Sequence, residues 1–272
     1  MSEPILVARH LVKTYPQRGG LFGLGNEKVK ALDDVSIALN AGKTLAVVGE
    51  SGSGKSTLAR CLLQLLPLDS GEVQFQGHDL AKLTGKELRA IRRDLQMVFQ
   101  DPFASLNPRM RVGEIIGEGL LIHGLGKTSE QQRKVMQMVK RVGLNEADLQ
   151  KYPHEFSGGQ RQRIGIARAL VLEPKVVVCD EPVSALDVSI QAQILLLLRE
   201  LQQEMQLSYL FITHDLRVVR HIADQVAVMY KGRLVEQGDV DSLYQSPQQE
   251  YTRNLLNAIP GRRSLAGLAT AG

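Results

Sequence analysis

Apolar and polar residues alternate near the start of the chain, in the segments ILVARHLVKTY and ALDDVSIALN. A period of two is typical of strands with one buried face. The glycine-rich segment between them, PQRGGLFGLGNEKVK, predicts a hairpin or loop. The compact apolar run KTLAVVGE then predicts a buried strand, and KSTLARCLLQLL predicts the helix that follows it. The first part of the chain is therefore expected to be mainly β.

The middle of the chain, from about Leu83 to Leu172, has a mostly helical pattern. The segment RKVMQMVKRVGL places four apolar side chains on one helical face: Val135, Met138, Val139 and Val142. Gly143 fits the end of that helix. In the last third, the apolar strands KVVVCD, SYLFITH and QVAVMYKG alternate with helices. This alternation predicts an α/β fold, with a parallel sheet, helices on its faces and a helical insertion.

Composition limits the class of protein. The 272 residues, 43% of them hydrophobic, are enough for one large core, or for a core with an attached subdomain. The net charge of +4 is spread along the chain, so it indicates solubility and gives only weak support for nucleic-acid binding. Cys61 and Cys179 lie far apart in apolar segments, which predicts buried thiols in a reducing compartment.

The N-terminus MSEPILVARH has no apolar signal region, and no apolar run approaches the ~20 residues of a membrane helix. We therefore expect a cytosolic protein, which leaves docking onto a membrane protein open. The final segment, GRRSLAGLATAG, is expected to be a flexible tail.

A phosphate-binding loop is predicted at GESGSGKS, which matches G-x-x-x-x-G-K-[ST] between a strand and a helix. Glycines let the backbone amides turn inward, and the helix N-terminus adds positive potential for phosphate. Lys55 is placed to reach the β- and γ-phosphates, and Ser56 to ligate Mg²⁺. The predicted ATP-binding residues of this loop are Gly49, Glu50, Ser51, Gly52, Ser53, Gly54, Lys55, Ser56 and Thr57.

Two acids end the apolar strand VVVCDE. Asp180 suits a position that holds Mg²⁺ beside the phosphate loop, and Glu181 suits a general base for the attacking water. The alternative is a strand end with two solvated acids.

A second, incomplete phosphate site is predicted at HEFSGGQRQR, which has a hydroxyl and two glycines before a helix but no lysine. Its predicted contacts are Ser157, Gly158, Gly159 and Gln160. The alternative is an ordinary helix N-cap by serine.

Taken in order, these motifs resemble those of ATP-binding cassette (ABC) ATPases across nearly the whole chain. The order is an aromatic at Tyr15, the phosphate loop, VFQD with Gln100, the signature FSGGQ, VVVCDE, SALD ending at Asp187, and ITHD with His214. Phe156 stands where leucine is commoner in the signature. The resemblance implies a P-loop NTPase core with an N-terminal antiparallel β subdomain and a helical subdomain at about 83–172.

The resemblance also explains the second site. Two cassettes of this family pack head to tail, so the signature loop of one closes over the ATP that the other holds. Ser157 and the amides of Gly158 and Gly159 would then approach a partner's γ-phosphate, which a partner lysine already binds. A helix N-terminus contributes about 0.3–2 kcal/mol, and enzymes lower barriers by at least ~8 kcal/mol. The signature loop therefore has to act together with Mg²⁺, Lys55, Glu181 and His214.

The other assigned roles also follow from the resemblance, and each has a structural alternative. Tyr15 would stack on adenine, or pack as a strand aromatic. Gln100 would sense Mg²⁺ or water, or lie as a surface glutamine at a strand end. His214 would contact the γ-phosphate, or be structural. Asp187 would bond across the dimer, or cap a loop.

Two further segments resemble ATPases of dipeptide and oligopeptide importers, a group that includes nickel importers. They are QDPFASLNPRMRV and SPQQEYTRNLLNAIP; in the second, Gln249 and Glu250 replace a His-Pro pair. The segment LVKTYPQRGGLFG is most similar to the F-type subunit of dipeptide importers. Some relatives bind an iron–sulfur cluster through cysteines in the C-terminal tail, but no cysteine follows Cys179, so we predict no cluster.

The resemblance implies an ATPase peripheral to the cytoplasmic face of the inner or plasma membrane. Its partners would be a second, different cassette chain, two permease subunits and, indirectly, an extracytoplasmic solute-binding protein, without nucleic acid. The cassette would span 1–245, with a C-terminal extension and tail at 246–272. Phe103 and Met110 would line a groove for the permease's coupling helix, or take part in ordinary helix packing. The alternative functions are import of nickel or another small solute, a soluble cassette acting on DNA or ribosomes, and a module that binds ATP without turnover.

Overall fold

A computed structural model of the chain describes residues 3–16 and 28–259. The chain divides into two compact units. The first unit comprises the described parts of Met1–Asn40, Thr44–Ala81 and Ile212–Gly272, and the second comprises Ala41–Lys43 and Lys82–Phe211. Most of the predicted hairpin or loop PQRGGLFGLGNEKVK and the whole of the predicted tail lie outside the described residues.

The strands of the described chain are β1 (Pro4–Pro16), β2 (Lys28–Asn40), β3 (Thr44–Val48), β4 (Ser70–Phe75), β5 (His78–Asp79), β6 (Leu95–Val98), β7 (Val176–Asp180), β8 (Ser208–Thr213), β9 (Gln225–Tyr230) and β10 (Arg233–Asp239). The α-helices are α1 (Lys55–Leu62), α2 (Gly85–Asp94), α3 (Pro102–Ser105), α4 (Val112–Ile122), α5 (Thr128–Arg141), α6 (Gly158–Leu170), α7 (Val188–Met205), α8 (Leu216–Ile222), α9 (Val240–Gln245) and α10 (Glu250–Asn257). Short 3₁₀ helices span Leu80–Lys82, Glu146–Gln150 and Pro153–Glu155.

The first unit contains an antiparallel sheet in the order β2-β1-β4-β5. Its register places Leu6 opposite Leu39 and Ala8 opposite Ile37, and all four side chains are buried. The alternation seen in the sequence therefore corresponds to one buried face of this sheet. In the same unit β3 runs parallel to β9, and β9 pairs antiparallel with β10. The sheet is therefore mixed and not purely parallel as predicted, because the sequence analysis did not include the antiparallel strand β10.

The core of the first unit covers the β3 and β9 strands. It is formed by Ala46, Val48, Leu216, Val219, Val226, Val228, Val240, Leu243, Tyr244 and Leu256. Leu256 belongs to α10, so the C-terminal helix packs directly against the strand that leads into the predicted phosphate loop. Burial of its apolar face follows from the hydrophobic effect and fixes the helix on this core.

The second unit pairs β6 with β7 in parallel and surrounds them with helices α2 to α7. The predicted apolar face of α5 is confirmed, because Val135, Met138 and Val139 are buried. Gly143 follows the helix with a left-handed φ of 74°, which glycine adopts without steric cost. Within the ranges that the structure describes, no helix is both long enough and apolar enough to span a bilayer.

Candidate active site

The predicted phosphate loop lies between β3 and α1 in the first unit. Gly49 has a φ of 152°, and Gly54, at the N-cap of α1, has a φ of 107°. A Cβ atom at Gly49 would approach the Met229 carbonyl oxygen to 2.2 Å, and one at Gly54 would approach that of Ala31 equally closely, at 2.2 Å. Both glycines are therefore required by close backbone approach as well as by backbone conformation.

The Lys55 side chain is buried inside this loop. Its ammonium nitrogen donates to the carbonyl oxygens of Gly49 at 2.8 Å and Glu50 at 2.7 Å, and to Ser53 Oγ at 3.4 Å. Carbonyl oxygens carry only partial negative charge, so an anionic phosphate is a stronger partner for the ammonium. Ser56 and Thr57 are half-buried in the first turn of α1. The loop is thus already shaped as an anion site at a helix N-terminus.

The turn between β9 and β10 is hydrogen-bonded to the phosphate loop. The Gly232 N–H donates to the Ser53 carbonyl at 3.0 Å, and the Asp33 N–H donates to the Gly232 carbonyl at 2.8 Å. The sequence analysis did not predict these hydrogen bonds. The pair Lys231-Gly232 is a local sign of a turn, and both residues have left-handed φ angles, of 46° and 82°.

Tyr15 and His214 also belong to the first unit. Tyr15, near the end of β1, is 38% exposed, and the Lys13 ammonium lies 5.8 Å from its ring centroid. A ring with this exposure is available for stacking. His214 is exposed and directly follows β8.

Asp215 caps the helix that begins after His214. It accepts from the Arg217 backbone N–H at 2.8 Å, and it also forms a salt bridge with the Arg217 guanidinium at 2.7 Å. Burial alone would raise the pKa of Asp215, but the hydrogen bonds from Arg217 outweigh burial and hold it below its usual value. The charged cap fixes the start of α8, and with it the backbone next to His214.

In the second unit, Gln100 and Glu181 are brought together. They follow the adjacent parallel strands β6 and β7, in which Val98 pairs with Cys179. The carboxyl ends of parallel strands meet at one sheet edge, and here Gln100 Nε2 donates to Glu181 Oε2 at 3.2 Å. The predicted general base and the predicted sensor glutamine are therefore direct neighbours.

The two acids of VVVCDE lie in different environments. Asp180 is buried at the end of β7, whereas Glu181 is partly exposed and has a left-handed φ of 46°. Non-glycine residues rarely adopt this conformation, which persists where the surrounding structure imposes it and is frequent at functional sites. The backbone turn gives the two carboxylates separate surroundings, as their two predicted roles require.

The signature segment forms the start of α6, also in the second unit. Ser157 is exposed at the N-cap; its Oγ accepts from the Gln160 N–H at 3.4 Å, while the Gln160 side chain accepts from the Ser157 N–H at 3.0 Å. The alternative, an N-cap of the helix by Ser157, is therefore observed, and together with Gln160 it forms a capping box. Phe156 is buried, which places its ring away from the exposed serine. A Cβ at Gly159 would meet Ile190 Cγ2 at 2.6 Å, so this glycine is required for packing.

Asp187 occupies the N-cap of α7, but its side chain makes no capping hydrogen bond. The SALD segment before it is held by the Gln191 side chain, which donates to the carbonyls of Val183 and Leu186, each at 3.0 Å. The structural alternative of a loop-capping carboxylate therefore does not account for Asp187, whose side chain is exposed.

Residues 32–184 match the ABC transporter family. This stretch covers more than half of the chain and contains the phosphate loop, Gln100, the signature segment and Glu181. The chain belongs to the ABC transporter family. It therefore has an ATPase domain that binds and hydrolyses ATP, which confirms the predicted class of enzyme.

Two relatives of this cassette match over most of both chains. The Di/tripeptide transport ATP-binding protein DppF of Pseudomonas aeruginosa (strain UCBPP-PA14) is 53% identical over 258 residues, which cover 95% of this chain and 80% of DppF. The Oligopeptide transport ATP-binding protein AppF of Bacillus subtilis (strain 168) is 51% identical over 263 residues, which cover 96% of this chain and 80% of AppF. The Glutathione import ATP-binding protein GsiA of Salmonella typhimurium is 51% identical over 259 residues, but the cassette spans only 42% of GsiA.

Solved ABC cassettes confirm the fold. The dimeric structure of MJ0796, in a post-hydrolysis state with ADP and Pi, has a TM-score of 0.76 and 29% identity, covering 86% of this chain and 98% of that one. The cbiO1 structure from Clostridium perfringens, part of the ABC transporter complex cbiONQ, has a TM-score of 0.77 and 28% identity. The match covers 98% of this chain and 99% of cbiO1. The predicted α/β class with an antiparallel β subdomain is therefore correct.

The predicted metal residues of each unit carry hard oxygen donors, which Mg²⁺ prefers. These are the Ser56 hydroxyl in the first unit, and the Gln100 amide oxygen and the Asp180 carboxylate in the second. The Gln100 amide nitrogen is engaged by Glu181, which leaves the amide oxygen as the end that can accept a cation.

Proposed function

We propose that this cassette is the ATP-hydrolysing subunit of a membrane importer for dipeptides or short peptides. One observation carries the proposal: the match to DppF and AppF extends over at least 95% of the chain, far beyond the general family match at 32–184. The likeness therefore includes residues on both sides of the general family match. DppF and AppF are named for transport of di/tripeptides and oligopeptides.

Uptake of a labelled dipeptide tests this proposal. The full transporter is placed in vesicles with ATP inside, once with the wild-type cassette and once with Glu181→Gln. We expect ATP-dependent uptake with the wild type alone, and competition by unlabelled peptides. Competition by glutathione would favour the function in the name of GsiA, and competition by Ni²⁺ alone would favour a nickel importer. ATP turnover without uptake of any of these solutes would contradict the proposal.

Within the nucleotide site, each residue has a defined role. Lys55 leaves its carbonyl partners and binds the β- and γ-phosphates, while Tyr15 stacks on adenine. Glu181 accepts a proton from the attacking water, Gln100 holds the Glu181 carboxylate in position, and His214 contacts the γ-phosphate. Ser56, Gln100 and Asp180 would hold Mg²⁺, which would supply positive charge to neutralise the phosphates.

ATP is enclosed between two cassettes in this proposal. Ser157 is exposed, with its helix N-terminus open to solvent, which suits it to a phosphate carried by another chain. The exposed Asp187 carboxylate lies near the start of the neighbouring helix and bonds across the same interface. The partner is a second ABC chain, either a different one or a second copy of this chain, and both sit beneath permease subunits.

A mixing experiment distinguishes an intermolecular site from an intramolecular one. Ser157→Arg and Lys55→Ala each inactivate every site of a dimer of identical chains. A mixed dimer keeps one intact site, formed by Lys55 of the first variant and Ser157 of the second. We expect the mixture to regain part of the ATP hydrolysis that the wild-type chain shows at the same concentration. No recovery, with both variants folded and wild-type hydrolysis rising with concentration, would contradict the shared site.

A groove in the second unit fits the coupling helix of a permease. Its lining combines apolar and charged side chains, among them Met110, Arg111, Glu114, Leu121, Val135 and Met136. In the same unit, Asp101 caps α3 and presents Phe103, which is 64% exposed and has the Arg161 guanidinium 3.6 Å from its ring centroid. A large exposed aromatic at a rigid cap is suited to a protein contact.

Crosslinking tests this groove. A cysteine at Met110 is expected to crosslink to a cytoplasmic loop of the permease in the assembled transporter. Leu196→Cys is the matched control, since Leu196 is 60% exposed on α7, in the same unit. Equal crosslinking at both positions, or crosslinks only within the chain, would count against the groove.

Location and cofactors complete the proposal. The cassette lies at the cytoplasmic face of the membrane, held there by the permease, and a solute-binding protein delivers peptide on the other side. It works without an iron–sulfur cluster, because Cys61 and Cys179 are both buried and distant in sequence from the C-terminal segment. Burial raises the pKa of the Cys61 thiol to about 11, which disfavours the thiolate needed for iron binding.

A further inference from the structure

Within the first unit, the Glu236 carboxylate binds the segment at which the C-terminal helix α10 begins. The Glu236 side chain on β10 accepts from the backbone N–H groups of Gln248 at 2.7 Å and Gln249 at 3.1 Å. Burial would raise the pKa of Glu236, but its hydrogen bonds hold the pKa below its ordinary value. These N–H groups precede the helix, so Glu236 fixes the place where α10 begins. Glu250 then occupies the first helical position, where negative charge is favourable.

The first turn of this anchored helix carries Tyr251 to the phosphate loop. The Tyr251 hydroxyl accepts from the backbone N–H of Glu50 at 3.3 Å. Its ring packs on Tyr230, with ring centroids 4.2 Å apart and planes inclined by 36°. Tyr251 also packs against the core that contains Val48, the last residue of β3. The ring is therefore held on two sides, and its hydroxyl has a fixed position.

Tyr251 and Lys55 both hydrogen-bond to the backbone of Glu50, one at its N–H and the other at its carbonyl oxygen. Glu50 donates its N–H to Tyr251, while its carbonyl oxygen accepts from the Lys55 ammonium at 2.7 Å. When the ammonium turns to a phosphate, Glu50 loses that partner. The Tyr251 contact uses the Glu50 N–H and involves neither the Lys55 ammonium nor the Glu50 carbonyl, so it can persist. Tyr230, which packs on Tyr251, directly follows Met229, whose carbonyl oxygen lies against Gly49.

We infer that Tyr251 is a positioning residue for the phosphate loop, through which the C-terminal helix α10 increases the affinity of the cassette for ATP. The inference rests on the proposed assignment of this loop to the ATP phosphates. A loop ordered before binding loses less conformational entropy when the nucleotide arrives, so a fixed loop binds more tightly. Tyr251 bonds to the loop backbone at Glu50 and is none of the groups assigned to the reaction, so we expect it to act on ATP binding and to leave the chemical step unchanged.

Tyr251→Phe tests this inference, since it removes the hydroxyl and keeps the ring. One neutral hydrogen bond corresponds to about a two- to tenfold change in affinity. We expect calorimetric titration of the full chain with Mg²⁺–ATP to show a Kd raised by about that factor. The KM for ATP should rise similarly, with kcat at saturating ATP unchanged. Glu236→Gln, which weakens the anchor of α10, should shift Kd in the same direction.

Tyr244→Phe is the matched control. Its hydroxyl donates to the Leu216 carbonyl on α8, within the same core, and not to a residue of the phosphate loop. This variant should lower the thermal unfolding temperature without changing Kd for ATP. Wild-type Kd and KM in folded Tyr251→Phe would overturn the inference while leaving the phosphate loop as the ATP site. Failure of the wild-type chain to bind ATP would instead overturn the proposed site, and this inference with it.

Discussion

Glu181→Gln is expected to bind ATP as the wild type does and to hydrolyse it about 10²–10⁴ times more slowly. This is the range by which a positioned general base accelerates a reaction. Glutamine keeps the size of the side chain and can accept a hydrogen bond through its amide oxygen. The Gln100 amide, which donates to Glu181 in the wild type, therefore keeps a partner. What the variant loses is the group that can accept the proton of the attacking water.

Single-turnover hydrolysis and equilibrium ATP binding, measured on the same preparation, separate these effects. Glu173→Gln is a suitable control, because Glu173 is also a glutamate with a left-handed φ, of 54° against 46° at Glu181, and its side chain is exposed. It pairs with Lys134 and is not part of the proposed site. Near-normal hydrolysis by Glu181→Gln would remove Glu181 as the base. A matching loss in Glu173→Gln would point to a general effect on folding.

The sequence allowed good prediction wherever function depends on residues that are close along the chain. The phosphate loop is one continuous segment, and its glycines are required by backbone conformations that a local pattern indicates. The proximity of Gln100 to Glu181 was not predicted, because the sequence analysis placed no strand at Leu95–Val98. The structure brings the two residues together because they follow strands β6 and β7, which pair in parallel.

The features that sequence reasoning missed depend on contacts between distant segments. The β10 strand is an edge strand with mostly half-exposed residues, so it lacks the apolar run that marked β9. Tyr251 reaches Glu50 across 201 residues of sequence. The predicted helix KSTLARCLLQLL ends early, at Leu62, because Gln64 adopts a left-handed φ of 53°. Glutamine gives no local signal for that conformation, which the surrounding packing imposes.

Lys55→Ala is expected to weaken ATP binding by about tenfold to a hundredfold, as the loss of one hydrogen bond to a charged group predicts. The ammonium donates to the carbonyls of Gly49 and Glu50. The substitution therefore removes two things at once: the cation that binds the β- and γ-phosphates, and a group that shapes the loop. A measured loss of ATP affinity would not by itself distinguish these two causes.

Comparison of ATP with AMP makes that distinction, because AMP has neither the β- nor the γ-phosphate. If Lys55 acts on those phosphates, Lys55→Ala should lower affinity for ATP and leave the weaker affinity for AMP unchanged. Lys151→Met serves as the control, since its ammonium is held by Asp148 at 2.8 Å in the second unit and its loss should change neither affinity. An equal loss for both nucleotides would mean that Lys55 shapes the loop without binding phosphate. The buried ammonium, which has a stronger partner in a phosphate than in two carbonyls, leads us to expect loss of ATP affinity alone.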